Sequence, residues 1–230
     1  MNMWCPMAAQ VVKKPLDVGN RLDELFKLKR EQLLEVVEAM VRAKADCTPN
    51  DPPGSRGWSA YKMGTRRLRE ITLVEKGWEK DDADQIPGVI NKSLGVRIVV
   101  ANTDDATCID LDGRNPQNRS QKGAATDRVV NANQLSFMKA LDESLKVVRL
   151  KQKPASPAHI ATWYICTFSE GDEFRAEISC PKVIEDGYFA DFYERIFLTN
   201  DESGDGGIVR RADDDDGGSE FDIQVKRKQK

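Results

Sequence analysis

The single histidine of the chain, His159, sets the first limit on its chemistry. One histidine excludes sites that need two, such as HExxH zinc sites and iron sites of two histidines and one carboxylate. A cysteine–histidine dyad stays open, but a histidine just after Pro157 in a predicted linker is more typical of a surface position. The phosphate-binding patterns GxxxxGK[ST] and GxGxxG are absent, as is the GxSxG nucleophile turn. We therefore predict no catalytic residue and no cofactor.

Carboxylates offer the one remaining enzymatic hypothesis, a metal-dependent nuclease. Such an enzyme needs two or three acidic side chains around Mg²⁺, often with a lysine nearby. Glu173 and Glu177 share one face of a predicted hairpin, and Asp222 lies on a predicted strand near the end of the chain. The usual Glu-x-Lys pattern is not met, because Arg175 follows Glu173 at that spacing. Alternating charge on a strand is also typical of a solvated sheet face, so we predict no metal site.

Basic residues suggest a second function, nucleic-acid binding. Between positions 114 and 153 the chain carries nine lysines and arginines against three acidic residues, although the net charge of the whole chain is -3. Such a local positive surface suits a phosphate backbone. The alternative is that these charges keep a polar loop soluble. The candidate contacts are Arg114, Arg119, Lys122, Arg128, Lys151 and Lys153.

The third hypothesis, which we favour, is a non-enzymatic subunit, adaptor or inhibitor that binds another protein or a second copy of itself. Its support is a long amphipathic helix, an apolar N-terminal arm, a long irregular loop and the absence of recognisable catalytic motifs. Aromatic side chains are frequent anchors of protein interfaces. The candidate interface residues are Trp4, Leu22, Phe26, Leu33, Trp58 and Trp78.

The elements that would position these residues begin with one long helix, predicted over residues 17–44 from an apolar stripe at three- and four-residue steps. Prolines and glycines then predict a linker at 47–59. We accordingly expect an arm and helix over 1–46, followed by an α+β domain over 60–230. Within that domain the acidic, glycine-rich segment 200–219 is predicted to be flexible, and its aspartate run lacks the spacing of an EF-hand.

The centre of the predicted fold is a hairpin at 162–180, in which both strands have one apolar face and one mixed face. A turn at Glu170-Gly171 would place Thr167 across from Phe174 and Ile165 across from Ala176. The predicted fold is α+β, with a mainly antiparallel sheet centred on this hairpin and covered by helices.

Several further elements complete this prediction. Strands are expected at 95–102 and 220–228, and a strand is favoured near 71–74. Helices are expected at 133–150 and, from aromatic spacing, at 188–198.

Cysteine usage and hydropathy indicate the setting. Five cysteines form no CxxC pair and are odd in number, which is typical of a reducing compartment. No run of about 18 apolar residues occurs, so no membrane span is expected. The start of the chain lacks the pattern of a signal peptide. We expect a cytoplasmic protein that partners another protein, with DNA or RNA as the alternative.

Overall fold

A computed structural model describes residues 9–111, 113–145 and 160–199, including all side chains except those of 135–145. Its fold is α+β, as predicted, with four helices and a seven-stranded mixed sheet. None of the helices within these ranges has the length and apolar character needed to cross a membrane. Some predicted features lie outside the described residues: Trp4, Lys151, Lys153, His159, the acidic segment 200–219 and the strand at 220–228.

The helices are α1 (Pro15–Phe26), α2 (Arg30–Ala45), α3 (Ser55–Thr72) and α4 (Ala124–Leu145). The strands are β1 (Gln10–Val12), β2 (Glu79–Asp81), β3 (Gly88–Asn91), β4 (Val96–Asn102), β5 (Ala161–Glu170), β6 (Glu173–Glu185) and β7 (Tyr188–Phe197).

The sheet has the order β1-β7-β6-β5-β4-β3-β2. Among these strands β1 runs parallel to β7 and β4 runs parallel to β5, whereas the other four neighbouring pairs are antiparallel. The sheet is therefore mixed. Strands β4 and β5 are parallel because the chain does not turn back directly after β4. It passes through an irregular segment between Asn102 and Ala124 and through α4 before β5 pairs with β4, as a parallel connection requires.

The side chains of the β5–β6 hairpin share faces as predicted, but the register differs. The mixed face, expected to resemble a solvated sheet face, is buried as well, with Tyr164 and Cys166 in a second core. Ile165 pairs with Ile178 and Thr167 pairs with Ala176, a shift of two residues from the prediction. The loop lies at Gly171 and Asp172 because Gly171 adopts a positive φ of 57°, which glycine tolerates best. A two-residue shift preserves the alternation, so every side chain stays on its predicted face while its cross-strand partner changes.

The predicted helix over 17–44 is two helices. Lys27 ends α1 with a left-handed φ of 56°. The backbone N–H of Lys29 then donates a 2.8 Å hydrogen bond to Gln32 Oε1 at the start of α2. The break lets Leu28 turn inward, where it is almost fully buried. The apolar stripe is nearly continuous across the break because both helices pack on the same sheet.

Residues 71–74 are not a strand as predicted: α3 ends at Thr72, and residues 73 and 74 form a turn. The helix begins at Ser55, within the predicted linker. Residues 188–197 form β7 instead of a helix. The pairing of β6 with β7 has register shifts on either side of Pro181, and these place Phe189 and Phe192 in the same core, three residues apart. The irregular pairing thus lets aromatic residues with helix-like spacing share one face of a strand, which is why the prediction of a helix was wrong.

Two apolar cores lie on opposite faces of the sheet. The larger joins α1, α2 and α3 to residues such as Ile98, Ile165 and Ile178. The smaller includes Tyr164 and Val130. Within α4, Asn133 accepts a hydrogen bond from the Thr162 N–H and donates to the carbonyls of Thr162 and Pro181, so one amide ties this helix to β5 and β6. The predicted helix at 133–150 therefore begins earlier, at Ala124.

Candidate functional site

The predicted nucleic-acid residues do not present one free basic surface. Arg114 pairs with Asp105 at 2.9 Å, and Arg128 pairs with Asp84 at 3.3 Å. Burial lowers the pKa of Lys122. Arg114 and Arg128 thus each lie beside a carboxylate, and Lys122 is partly withdrawn from solvent.

Arg119 is the exception among the four candidates that the structure describes. Its backbone N–H donates to the carbonyl of Asn102, and its Nε donates to the carbonyl of Thr103. Its guanidinium lies 5.7 Å from the ring centre of Phe168. The nearest carboxylate oxygen among its ion pairs is Glu170 Oε2, 3.9 Å from Nη2. Arg119 is thus held at the carboxyl end of β4 and stays half-exposed.

Most of the predicted interface residues belong to the core. Leu22, Phe26 and Leu33 are essentially buried, and Trp78 is buried as well. Phe26 packs edge-on against Trp163 at 5.1 Å between ring centres. The amphipathic stripe of α1 and α2 therefore packs on the sheet of its own chain.

Trp58 differs from the others, because 64 % of it is exposed. It lies in the second half of the segment that was predicted as a linker, and α3 presents it to solvent. Its ring centre is 6.0 Å from that of Tyr61, one turn later on the helix. Trp58 is the one predicted anchor in the described ranges that a partner can reach.

A groove of about 480 Å³ runs along this outer side of α3. It is bounded by apolar surface at Trp58, Tyr61, Leu73 and Pro87, and we call it the α3 groove. Its complete lining is Trp58, Tyr61, Lys62, Thr65, Arg66, Arg69, Glu70, Leu73 and Pro87.

The charges around the α3 groove are mostly positive. Arg66 pairs with Glu70 at 2.8 Å, and Arg69 pairs with Asp82. Lys62 is exposed on the same helix. Helix α3 as a whole contains five basic residues and one acidic residue, in a chain whose net charge is -3. The groove therefore combines an apolar lining with a cationic rim.

The carboxylates of the nuclease hypothesis are separated by the fold. Glu173 is exposed and pairs with Arg175 at 2.9 Å, whereas Glu177 is fully buried. Asp222 lies outside the described residues. Within the described ranges, no three His, Cys, Asp or Glu side chains are grouped so that they could hold a metal ion.

Glu177 instead forms a buried ion pair with Arg195 of β7. Arg195 Nε and Nη2 donate to the two carboxylate oxygens at 2.8 and 2.7 Å. The same carboxylate accepts from the Cys108 backbone N–H and from Ser179 Oγ, each at 2.7 Å. Burial acts to lower the pKa of Arg195, but the hydrogen bonds and negative charge of Glu177 outweigh it, so this pKa is raised above its usual value.

This ion pair organises the irregular segment between β4 and α4. Arg195 also donates to the backbone carbonyls of Ala106, Ile109 and Arg114. Cys108 adopts a positive φ of 59°, and its thiol lies 3.0 Å from the carbonyl of Ala176. The sequence alone placed Glu177 on the polar face of the hairpin, but only the pairing of β6 with β7 brings Arg195 beside it.

Three basic side chains lie near the carboxyl ends of β4 and β5. Lys44, at the end of α2, donates to the carbonyl and hydroxyl oxygens of Ser169 on β5. Burial lowers the pKa of Lys44, and the positive charges of Arg119 and Arg56 lower it further. We call Lys44, Arg56 and Arg119 the basic cluster. Two of its members were absent from the predicted sites, because they lie at helix ends far from residue 119 in sequence.

Comparison with known proteins found no match to the chain among family models, curated proteins or solved structures.

Proposed function

We propose that this protein is a non-enzymatic binding protein whose protein partner docks in the α3 groove. The observation that carries the proposal is the exposure of Trp58 beside an apolar groove. A large exposed aromatic side chain is costly to leave in water, and tryptophan is a frequent energetic anchor of interfaces.

The chemistry of the groove favours one kind of occupant. Apolar surface at Tyr61, Leu73 and Pro87 suits a bulky apolar side chain of the partner. The cations around it, including Lys62 and Arg66, suit acidic residues on either side of that anchor. We therefore expect a partner segment with an apolar anchor and acidic flanks.

Helix α3 provides a firm base for such contacts. Its opposite face is buried, with Ala60, Leu68 and Ile71 in the larger core. Gly64 allows a close approach to α2, because a Cβ there would lie 2.3 Å from Met40 Cγ. The groove is thus formed on a packed helix, which reduces the ordering cost of docking.

Selection from a displayed peptide library against the purified protein tests the proposal. We expect enriched peptides with a bulky apolar residue flanked by aspartate or glutamate, and Trp58→Asp should weaken their binding at least about tenfold, as expected for a central anchor. Leu16→Asp is the matched control, because Leu16 is 75 % exposed on α1 and does not line the groove.

Three outcomes contradict the proposal: no enriched sequence, peptides without acidic flanks, or equal loss of binding in the two variants. A photoreactive residue placed at position 58 in cells that produce the protein gives an independent readout. It should yield a discrete cross-linked species that the same residue at position 16 does not. A cross-link that joins two copies of the chain, or the chain to nucleic acid, would replace the proposed partner with a different one.

A further inference from the structure

The carboxyl ends of the parallel strands β4 and β5 form an edge at which α2, α3 and the irregular segment after β4 meet. Asn102 ends β4 and pairs with Thr167 of β5, and Ser169 follows two residues later. Asn102 Nδ2 donates to the carbonyl of Gly57 at 2.9 Å, which holds the first turn of α3 against this edge. In open sheets with parallel strands, ligands commonly bind outside the carboxyl ends of those strands.

The basic cluster occupies this edge. Lys44 arrives from α2 and is hydrogen-bonded to Ser169. Arg119 arrives from the irregular segment and is hydrogen-bonded to the carbonyls of Asn102 and Thr103. Arg56 arrives in the first turn of α3, next to Gly57. The three cations thus belong to three different segments. Lys44 and Arg119 are hydrogen-bonded to the strand ends, and Arg56 is next to Gly57, whose carbonyl accepts from Asn102.

The start of α3 adds to the positive potential. Gly54 precedes the helix with a φ of 86°, and no side chain caps the helix there. The first turn contains no acidic residue. An 18-residue helix directs its first N–H groups and the positive end of its dipole outward, which favours anions.

The negative charges at this edge do not neutralise the cluster. Burial and the charges of Arg119 and Arg56 lower the pKa of Lys44, and the negative charge of Glu170 opposes this shift. The Glu170 side chain is largely exposed and approaches Arg119 only to 3.9 Å. Asp104 is occupied elsewhere, since its Oδ1 accepts from the backbone N–H groups of Ala106 and Gln117.

We infer that the basic cluster binds the phosphate groups of a small polyphosphate ligand. Arginine presents paired donors that match phosphate oxygens, lysine supplies a compact positive charge, and helix N–H groups complete the coordination. Three cations around one exposed carboxylate leave a net positive site, which suits a diphosphate better than a single carboxylate. This inference rests on other residues than the α3 groove and does not depend on the proposed function.

Calorimetric titration of the full chain with inorganic pyrophosphate at low salt tests the inference. We expect saturable binding that weakens as salt is added, because exposed charges are screened. Arg56→Gln and Arg119→Gln should each weaken binding at least about tenfold, the loss expected for one charge-assisted hydrogen bond. Arg56 is exposed in the first turn of α3, so its substitution should leave the fold intact, which thermal unfolding will verify.

Arg66→Gln is the matched control, since Arg66 is an exposed arginine of the same helix about 15 Å further along its axis. It should bind pyrophosphate as the wild type does. No saturable binding by the wild type, or an equal loss in all three variants, would overturn the inference.

Two further ligands distinguish the possible sources of the phosphates. Binding of adenosine triphosphate that depends on Arg56 and Arg119 in the same way supports the inference. Tighter binding of adenosine triphosphate than of pyrophosphate indicates that the ligand is a nucleotide. A single-stranded oligonucleotide that binds while pyrophosphate does not would overturn the small-ligand assignment, because the cluster would then require a continuous nucleic-acid backbone.

Discussion

Replacement of Glu177 by alanine tests the buried ion pair that organises the irregular segment. The substitution removes the acceptor of four hydrogen bonds and leaves Arg195, whose side chain is 3 % exposed, without a counter-ion. Removal of one partner of a buried pair typically costs about 3–5 kcal/mol. We expect a decrease of that size in the free energy of unfolding, a large share of the roughly 5–15 kcal/mol that holds a typical domain folded.

The exposed pair of Asp105 and Arg114 provides the control. Its oxygen and nitrogen atoms lie 2.9 Å apart, similar to the buried pair, but its side chains are 65 % and 46 % exposed. Exposed pairs contribute about 0–1 kcal/mol, so Asp105→Ala should have a small effect. The comparison isolates burial as the cause.

Urea unfolding followed by tryptophan fluorescence is a suitable assay, since the buried Trp163 and Trp78 become exposed on unfolding. The midpoint should fall for Glu177→Ala while the slope stays constant. A cost below about 1 kcal/mol, equal to that of Asp105→Ala, would refute our account of the pair.

The double variant Glu177→Leu with Arg195→Met distinguishes the effect of the ion pair on the free energy of unfolding from its effect on the irregular segment. Replacement of both charges by apolar groups often restores stability. The double variant should therefore be more stable than Glu177→Ala, and additive losses would contradict the coupling. It should still lose the hydrogen bonds to the carbonyls of Ala106 and Ile109, so amide exchange should accelerate in residues 104–117.

Three other predictions concern single sites. Gly64→Ala should lower the free energy of unfolding by about 1–3 kcal/mol, because the new Cβ would lie 2.3 Å from Met40 Cγ. Gly19→Ala, where the new Cβ has no atom within 4 Å, should raise it by about 0.5–1 kcal/mol. Urea unfolding measures both changes, and equal effects would refute the packing argument. Thr65→Val should be neutral or stabilising by about 1 kcal/mol, because the buried Thr65 hydroxyl finds no hydrogen-bond partner among the described residues, and a clear loss of stability would show that the hydroxyl has one. Pyrophosphate binding should weaken as pH rises towards 10.5, the usual pKa of lysine, because the pKa of Lys44 lies below that value and Lys44 loses its charge within this range. Titrations across this range should show a smaller change in Lys44→Met than in the wild type. Identical profiles would contradict the role of Lys44.

The functional hypotheses depended more on tertiary structure than the fold class did. The basic residues between 114 and 153 were visible in the sequence, but their carboxylate partners were not: Asp105 and Asp84 lie on other segments. Conversely, Lys44 and Arg56 had no apparent role until the chain brought them to Arg119. Trp58 lies near prolines and glycines, so local composition predicted a position near a loop for it, and 64 % of it is exposed in the first turn of α3.

Local sequence determined which side chains of each hairpin strand share a face, because side chains alternate along a strand whatever their partners are. It also determined the α+β class and the strand at β4, since these follow from local periodicity. The register of β5 with β6 required the backbone at Gly171, and the fate of residues 188–197 required the irregular pairing around Pro181. The ion pair of Glu177 with Arg195 and the basic cluster were decided only by tertiary structure, because the free energy of a charge depends on which distant groups the fold places around it.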